Sequence, residues 1–168
     1  EEQYGGCYEG SLIDVTLNVL CNIGYKINEY VFGHGYSSGQ NQQVSDKTMF
    51  VNTNSLMKVL LLLNIAKSVM FIEQKEAWAR KKGRLYQFDD SSNTVMKLGA
   101  RTLFICQKYG IKLGEEEYSA ITSIDRDDET GARFQSPLYT IVNAAKNLTL
   151  VKLRQEYLAT KETQEIEE

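Results

Sequence analysis

The sequence predicts a mainly α-helical fold with one small β-hairpin, and three observations predict it. Apolar residues recur at spacings of three and four in several separate segments, which is the period of helices that face a core. Loop-forming residues separate these segments. Two short segments flank a Lys82-Gly83 turn, which is typical of a hairpin. At 168 residues, the chain has the length of one domain.

The first predicted helix covers residues 10–32. Its apolar side chains follow helical spacing, interrupted by Gly24, and they are Leu12, Ile13, Leu17, Leu20, Ile23, Ile27, Tyr30 and Val31. The next segment, residues 33–46, is rich in Gly, Ser, Gln and Asn and predicts a surface loop.

The most apolar segment, residues 52–72, predicts the central buried helix of the domain. Thr53, Asn54 or Ser55 is expected to cap its N-terminus, because short polar side chains accept bonds from the first free backbone N–H groups. Residues 76–90 then predict the hairpin around the Lys-Gly turn.

Two further helices follow the predicted hairpin. Residues 93–109 return to helical spacing and end at Gly110, which is a normal C-cap residue. Three glutamates after Gly114 favour the start of the next helix, because the helix dipole stabilises acidic side chains in the first turn. This helix is predicted to end at about Ile124.

The last predicted helix begins at Ser136 and Pro137, since proline is favoured at the first helical position. Its predicted apolar face consists of Leu138, Ile141, Val142, Ala145, Leu148 and Val151 or Leu153. The polar, acidic stretch from Thr160 onward is predicted to be frayed. We therefore assign one domain to residues 1–158 and an acidic C-terminal tail to residues 159–168.

Composition and charge argue against several classes of function. The net charge of −3 and the pI near 5.4 argue against nucleic-acid binding driven by overall charge, and the basic run at residues 80–84 is interpreted as a solvated turn. The longest apolar run, residues 59–65, is far shorter than the roughly 20 residues that a membrane span needs.

The cysteines bear on zinc binding and on the cellular compartment. Cys7, Cys21 and Cys106 lack the spacing of a zinc site. They predict free thiols in a reduced, intracellular protein, as in the bacterial cytoplasm, and argue against secretion through a disulfide-forming route.

Two polar features resemble sites only superficially. His34, the single histidine, lies in the Gly-rich segment, where simple exposure is favoured over catalysis because no nucleophile is near it in the sequence. The acidic residues Asp125, Asp127, Asp128 and Glu129 lack the spacing of a calcium-binding loop and predict a solvated loop.

Five segments, taken in order, resemble the HD-domain phosphohydrolase superfamily, especially its small bacterial and phage members. They are YEGSLIDVTLNV at 8–19, LLLNIAKSVMF at 61–71, KLGART at 97–102, AITSIDR at 120–126 and NAAK at 143–146. Their order and spacing, with the hairpin between the second and third, carry the resemblance over roughly residues 4–158. The resemblance implies an HD-domain-like helical bundle.

The resemblance also implies a metal site whose ligands this sequence lacks. Relatives bind a divalent metal through His and Asp side chains, and the metal polarises a phosphate ester and activates water. At the corresponding positions this chain carries Val15, Asn64, Ile65, Leu98, Ile124, Asn143 and Lys146. We treat these seven as vestigial site positions and predict a pseudoenzyme with no catalytic residue, no metal and no cofactor.

Lys146 stands where the resemblance places a metal-binding Asp, and two interpretations are open. In the first, the former site has collapsed into the core and Lys146 extends to solvent. In the second, the ammonium group replaces the charge of the metal and pairs with Asp14 or Asp125, since an unpaired buried charge costs several kcal/mol.

Two functions are consistent with these observations. The first is a catalytically inactive structural or protein-interaction component, with a bacteriophage particle as one setting, other proteins as its partners and no nucleic-acid or membrane partner. The second is a metal-independent sensor or regulatory domain that binds a nucleotide or phosphate through Lys97, Arg101, Arg126 and Lys146. An enzyme with a different site has no support in the sequence beyond the superfamily resemblance.

Overall fold

The computed structural model of the protein describes the backbone of residues 10–33, 51–89, 91, 96–124 and 136–167, with side chains except at 32–33 and 161–167. Within these ranges the chain is mainly α-helical and contains one two-stranded antiparallel hairpin, which confirms the predicted fold class. Of the predicted loop at residues 33–46, residues 34–46, including His34, lie outside the described residues, as does the acidic run at residues 125–129.

The first helix is continuous but changes its geometry along its length. It begins as α1 (Ser11–Asp14), widens into a π-helical segment (Val15–Leu20), returns to α geometry as α2 (Cys21–Asn28) and ends in a second π-helical segment (Glu29–Gly33). Gly24 is buried inside α2 and does not break the helix. A Cβ at this position would collide with Cδ1 of Leu60, so the missing side chain permits close packing of the two helices.

The central helix α3 (Thr53–Leu63) is shorter than predicted. Its N-cap is Asn52, one residue before the predicted caps, and Asn52 Oδ1 accepts from the backbone N–H of Asn54 at 2.8 Å and of Ser55 at 3.4 Å. The prediction of one helix to residue 72 is wrong, because the chain turns at residues 64–66, forms the short helix α4 (Lys67–Met70) and then becomes extended.

The hairpin is present, but its first strand is not where it was predicted. Strand β1 (Phe71–Glu73) pairs with β2 (Tyr86–Phe88), and Phe71 lies opposite Phe88 with their rings edge to face at 6.0 Å. The segment predicted as the first strand forms the helix α5 (Ala77–Lys81) instead. Residues 71–72 directly follow an apolar helical segment, and apolar periodicity does not distinguish a short strand there from a longer helix. The predicted helix therefore includes the start of β1, and the predicted first strand falls on the next segment.

The next two helices agree with the prediction apart from one boundary. Helix α6 (Leu98–Lys108) begins later than residue 93 and ends as predicted at Gly110, which has a left-handed φ of 66°. Behind it, the backbone N–H of Ile111 donates to Cys106 O at 2.8 Å, which completes a glycine C-cap. Helix α7 (Glu115–Ser123) starts directly after Gly114.

The last helix, α8 (Pro137–Glu167), contradicts the prediction of a frayed end, because its backbone stays helical through the acidic tail. The predicted inner face is correct in its first half, where Leu138, Ile141, Val142 and Ala145 are buried. In the second half Leu148 is half exposed, and Thr149 takes the buried position by donating its hydroxyl to Ala145 O at 2.8 Å.

Helix α3 is the centre of the core and contacts α2, α6, α7 and α8. Its residues Leu56, Val59 and Leu60 are fully buried. Cys21 and Cys106 are buried free thiols, as predicted, whereas Cys7 lies outside the described residues. Among the helices that the structure describes, none combines the length and apolar character needed to cross a membrane.

Candidate functional site

A partly open cavity of about 520 Å³ lies where the first helix, the end of α3, the hairpin, α6, α7 and α8 meet. Most of its wall is apolar and is formed by Leu12, Ile13, Val15, Leu20, Leu63, Phe71, Leu98, Ile124, Leu150 and Leu153. The rest of the wall is formed by Gly10, Ser11, Asn64, Lys67, Ser68, Tyr86, Lys146 and Thr149. A volume of this size is typical of a site for a small organic ligand.

Five of the seven vestigial site positions line this one cavity, namely Val15, Asn64, Leu98, Ile124 and Lys146. They come from five elements that are far apart in the sequence. Of the remaining two, Ile65 packs partly buried against the core, and Asn143 is partly buried on α8 outside the cavity wall. The structure therefore brings together most of the positions that the resemblance picked out.

Three of these five side chains lie at helix ends, and a fourth lies where the first helix changes from α to π geometry. Val15 opens the first π-helical segment, Asn64 is the C-cap of α3, Leu98 is the first residue of α6 and Ile124 is the C-cap of α7. Lys146 instead lies in the middle of α8. Helix ends from different parts of the chain converge here, and π-helical turns inside longer helices are frequent at functional sites.

A short hydrogen-bond chain fixes the orientation of Asn64. Its side-chain nitrogen donates to Thr16 Oγ1 at 3.1 Å, and that hydroxyl donates to the backbone oxygen of Leu12 at 2.6 Å. Because the single hydroxyl proton of Thr16 is already used, Thr16 can only accept from Asn64. The nitrogen of the amide is therefore bound to Thr16, and its oxygen remains the acceptor of this side chain.

The structure contradicts the first interpretation of Lys146 and bears on the second only for Asp14. The former site has not collapsed into the core, since the aliphatic replacements surround a cavity. Asp14 is not its partner, and no hydrogen bond or ion pair of Lys146 occurs within the described part of the chain. Asp125 lies outside the described residues. Lys146 is a partly buried residue on a wall that is mostly apolar.

The charged side chains of the described lining are lysines. Lys67 is a second ammonium group in the lining, and none of the described lining residues is acidic. The hydroxyl groups of Ser68 and Thr149 donate to the backbone oxygens of Ile65 and Ala145 at 2.7 and 2.8 Å, so their protons are already engaged. With the ammonium group of Lys146 and no acidic side chain, the described lining favours an anion over a cation.

The side chains of the wall do not fit a divalent metal. Such ions are held by carboxylates, imidazoles or thiolates, whereas this wall supplies an amide, a few hydroxyls and two ammonium groups. Within the described ranges, no group of three or more His, Cys, Asp and Glu side chains is close enough to hold a metal ion.

Two of the other three predicted binding residues lie elsewhere. Lys97 is the exposed N-cap residue of α6 and Arg101 lies one turn further along, but neither lines the cavity. Arg126 lies outside the described residues. Sequence reasoning missed Phe71 and Tyr86, which reach the wall through the hairpin, because the first strand was assigned to another segment.

Comparisons of the chain with protein-family models, curated proteins and solved structures found no match.

Proposed function

We propose that the chain is a catalytically inactive, HD-like binding domain whose cavity takes a small organic ligand without a metal. The observation that carries the proposal is the position of the cavity. Its wall contains Val15, Asn64, Leu98, Ile124 and Lys146, at which the resemblance places the ligands of a metal. The proposal thus favours the sensor or regulatory function, with the binding residues revised from the set that the sequence suggested.

The chemistry of the wall supports binding more than catalysis. Hydrolysis of a phosphate ester needs a group that activates water and a centre that stabilises the developing negative charge. The described lining offers two lysines and a tyrosine as its titratable groups and has no carboxylate or imidazole to serve as a base. An apolar wall with a few polar groups is the usual composition of a ligand pocket.

A fluorescent apolar anion, 8-anilinonaphthalene-1-sulfonate, provides a direct test with the full chain. We expect one dye molecule to bind per chain, with an increase in its fluorescence. Leu150→Trp places a larger side chain in the wall at a residue that is 40% exposed and should weaken dye binding by about tenfold.

Leu148→Trp is the matched control, because Leu148 lies on the same helix, is 50% exposed and does not line the cavity. It should bind the dye as the native chain does. Equal dye affinity of Leu150→Trp and the native chain would show that the cavity is not the binding site. Thermal unfolding of each variant establishes that both remain folded.

A second candidate function is the structural or protein-interaction component, for which the outer face of α8 provides an observation. Leu148, Val151 and Leu158 are each about half exposed, and their spacing places them along one side of the helix. The setting proposed for this function is a bacteriophage particle. The native chain should then co-sediment with virions purified from its source, and replacing these three residues with serine should release it.

A further inference from the structure

We infer that the ligand of the cavity is an aliphatic monocarboxylate, bound with its carboxylate at Lys146 and its chain against the apolar wall. This inference rests on the proposed function and adds the chemical class of the ligand. It is argued from the charge of Lys146, from the order of residues along α8 and from the small number of free polar side chains that could bind a nucleotide.

The positive charge of Lys146 favours a negatively charged ligand. Lys146 is partly buried among aliphatic side chains, has no hydrogen-bond or ion-pair partner among the described residues, and shares the wall with Lys67. An ammonium group in apolar surroundings is stabilised by a carboxylate that accepts its hydrogen bonds. A cationic ligand would meet the like charge of Lys146 and no acidic side chain of the described lining.

The part of α8 that lines the cavity begins with a charged residue, Lys146, and ends with apolar residues. Lys146, Thr149, Leu150 and Leu153 all line it, at the spacings of three, four and seven that share one helix face. With a rise of about 1.5 Å per residue, Leu153 lies about 10 Å along the axis from Lys146. This order matches a ligand with a charged head and a linear hydrocarbon chain.

The wall is poorly suited to a nucleotide. Recognition of a base needs several directed donors and acceptors. The hydroxyls of Ser68 and Thr149 already donate to backbone oxygens. The uncharged side chains of the described wall therefore offer only Asn64 Oδ1 and the hydroxyls of Ser11 and Tyr86. A polyphosphate brings several negative charges, which proteins usually neutralise with Mg²⁺, arginines or a glycine-rich loop. Lys146, which has no partner in the described part of the chain, and a mostly aliphatic wall suit one negative charge better.

Isothermal titration of the full chain with decanoate and with decan-1-ol at pH 8 tests the inference, because the two probes differ only in the head group. Decanoate should bind with one molecule per chain and at least about tenfold more tightly than the alcohol, as expected for a charge-assisted hydrogen bond. Inorganic phosphate and AMP should bind more weakly than decanoate.

Lys146→Met keeps the length of the side chain and removes its charge. It should weaken decanoate binding by about tenfold and leave the affinity for decan-1-ol within about twofold. Lys152→Met is the control, because Lys152 lies on the same helix outside the cavity and pairs with Glu156 at 2.9 Å. It should change neither affinity.

The outcomes separate the inference from the proposed function. If decan-1-ol binds as tightly as decanoate, if Lys146→Met leaves their ratio unchanged, or if AMP binds more tightly, the ligand class is wrong while the cavity remains a binding site. If none of the four probes binds, or if Leu150→Trp leaves the binding of all of them unchanged, the proposed function fails as well.

Discussion

Gly24 sets the distance between two helices by the absence of a side chain. Helices α2 and α3 approach so closely there that a Cβ would overlap Leu60 Cδ1. Leu60 is fully buried in the centre of the core, so it has little freedom to move aside. A residue that breaks helical periodicity in the sequence thus contributes to packing in the structure.

We predict that Gly24→Ala lowers the free energy of unfolding by about 1 kcal/mol. Overpacking of a core costs about 1–3 kcal/mol, and the better helix propensity of alanine returns about 1 kcal/mol of it. Urea denaturation measures the change, and Asn22→Ala, at an exposed position of the same helix, serves as the control. An unfolding free energy at or above that of the native chain would contradict the prediction.

Glu117 is a buried carboxylate with a defined set of donors. It is 4% exposed and accepts from Lys58 Nζ at 2.8 Å and from the backbone N–H of Gly114 at 2.9 Å. Burial alone raises the pKa of this carboxyl group, but the hydrogen bonds from Lys58 and Gly114 outweigh burial and hold its pKa below the ordinary value of 4.5.

The lowered pKa of Glu117 determines the direction of a pH effect. Its ionised form is favoured by folding, so its contribution to stability is complete above pH 4.5 and is lost as the pH falls through the lower pKa of the folded state. Glu117→Gln should remove this part of the acid sensitivity. Urea denaturation of both chains between pH 7 and pH 3 should show their difference shrinking as the pH falls.

Replacing Lys58 tests the same Lys58–Glu117 ion pair. Lys58→Met should lower the free energy of unfolding at pH 7 by about 1–3 kcal/mol, because it leaves a buried carboxylate without its charged donor. In the Glu117→Gln background the same change should cost much less, and equal costs in both backgrounds would show that the two residues are not coupled.

At the scale of whole elements, the ends of the helices carry several specific interactions of the described chain. The Asn52 cap starts α3, and the glycine C-cap at Gly110 ends α6. Three of the residues that line the cavity, Asn64, Leu98 and Ile124, also lie at helix ends. The position of the cavity therefore depends on where the helices stop.

We predict that Gly110→Ala destabilises the fold by about 1 kcal/mol, because a φ of 66° places the Cβ of alanine close to the backbone. Gly110→Asn should cost less, since asparagine tolerates the left-handed region better than other non-glycine residues. Thermal unfolding of both variants gives the ranking, and an alanine variant as stable as the asparagine variant would contradict it.

At the scale of the whole molecule, most helices could be predicted from the sequence because their signals are local. The glutamates after Gly114 and the proline at position 137 each lie at the start of a helix in the structure. The strand at Phe71 could not be predicted in this way, because it is defined by its pairing with residues that lie far along the chain.

The candidate site shows the same limit. The resemblance picked out Val15, Leu98 and Ile124 as one set, and these residues do line one cavity. The open volume between them could not be predicted, because it depends on the spacing of packed helices rather than on residue type. The aliphatic identity of these positions favoured a filled core, and only the structure shows otherwise.

The two described cysteines report on the global stability of the molecule. Cys21 and Cys106 are buried, and burial raises the pKa of both thiols. In a Cys7→Ser variant, which leaves only these two thiols, we expect a disulfide reagent to react at least about a hundredfold more slowly with the native chain than with the urea-unfolded chain. Rapid modification without denaturant would show that this part of the core opens locally.

The π-helical segment Val15–Leu20 has a consequence for the rotation of the first helix about its axis. A π-helical turn holds about one residue more than an α-helical turn, and an α-helix turns by about 100° per residue, so winding the same residues as α-helix would rotate everything after them by roughly that angle. Val15 would keep its place on the cavity, but Gly24 would swing away from Leu60 and a residue with a side chain would face α3 instead. The π-helical turn therefore sets the rotation of one continuous helix so that Val15 lines the cavity near its start while Gly24 packs against Leu60 further along.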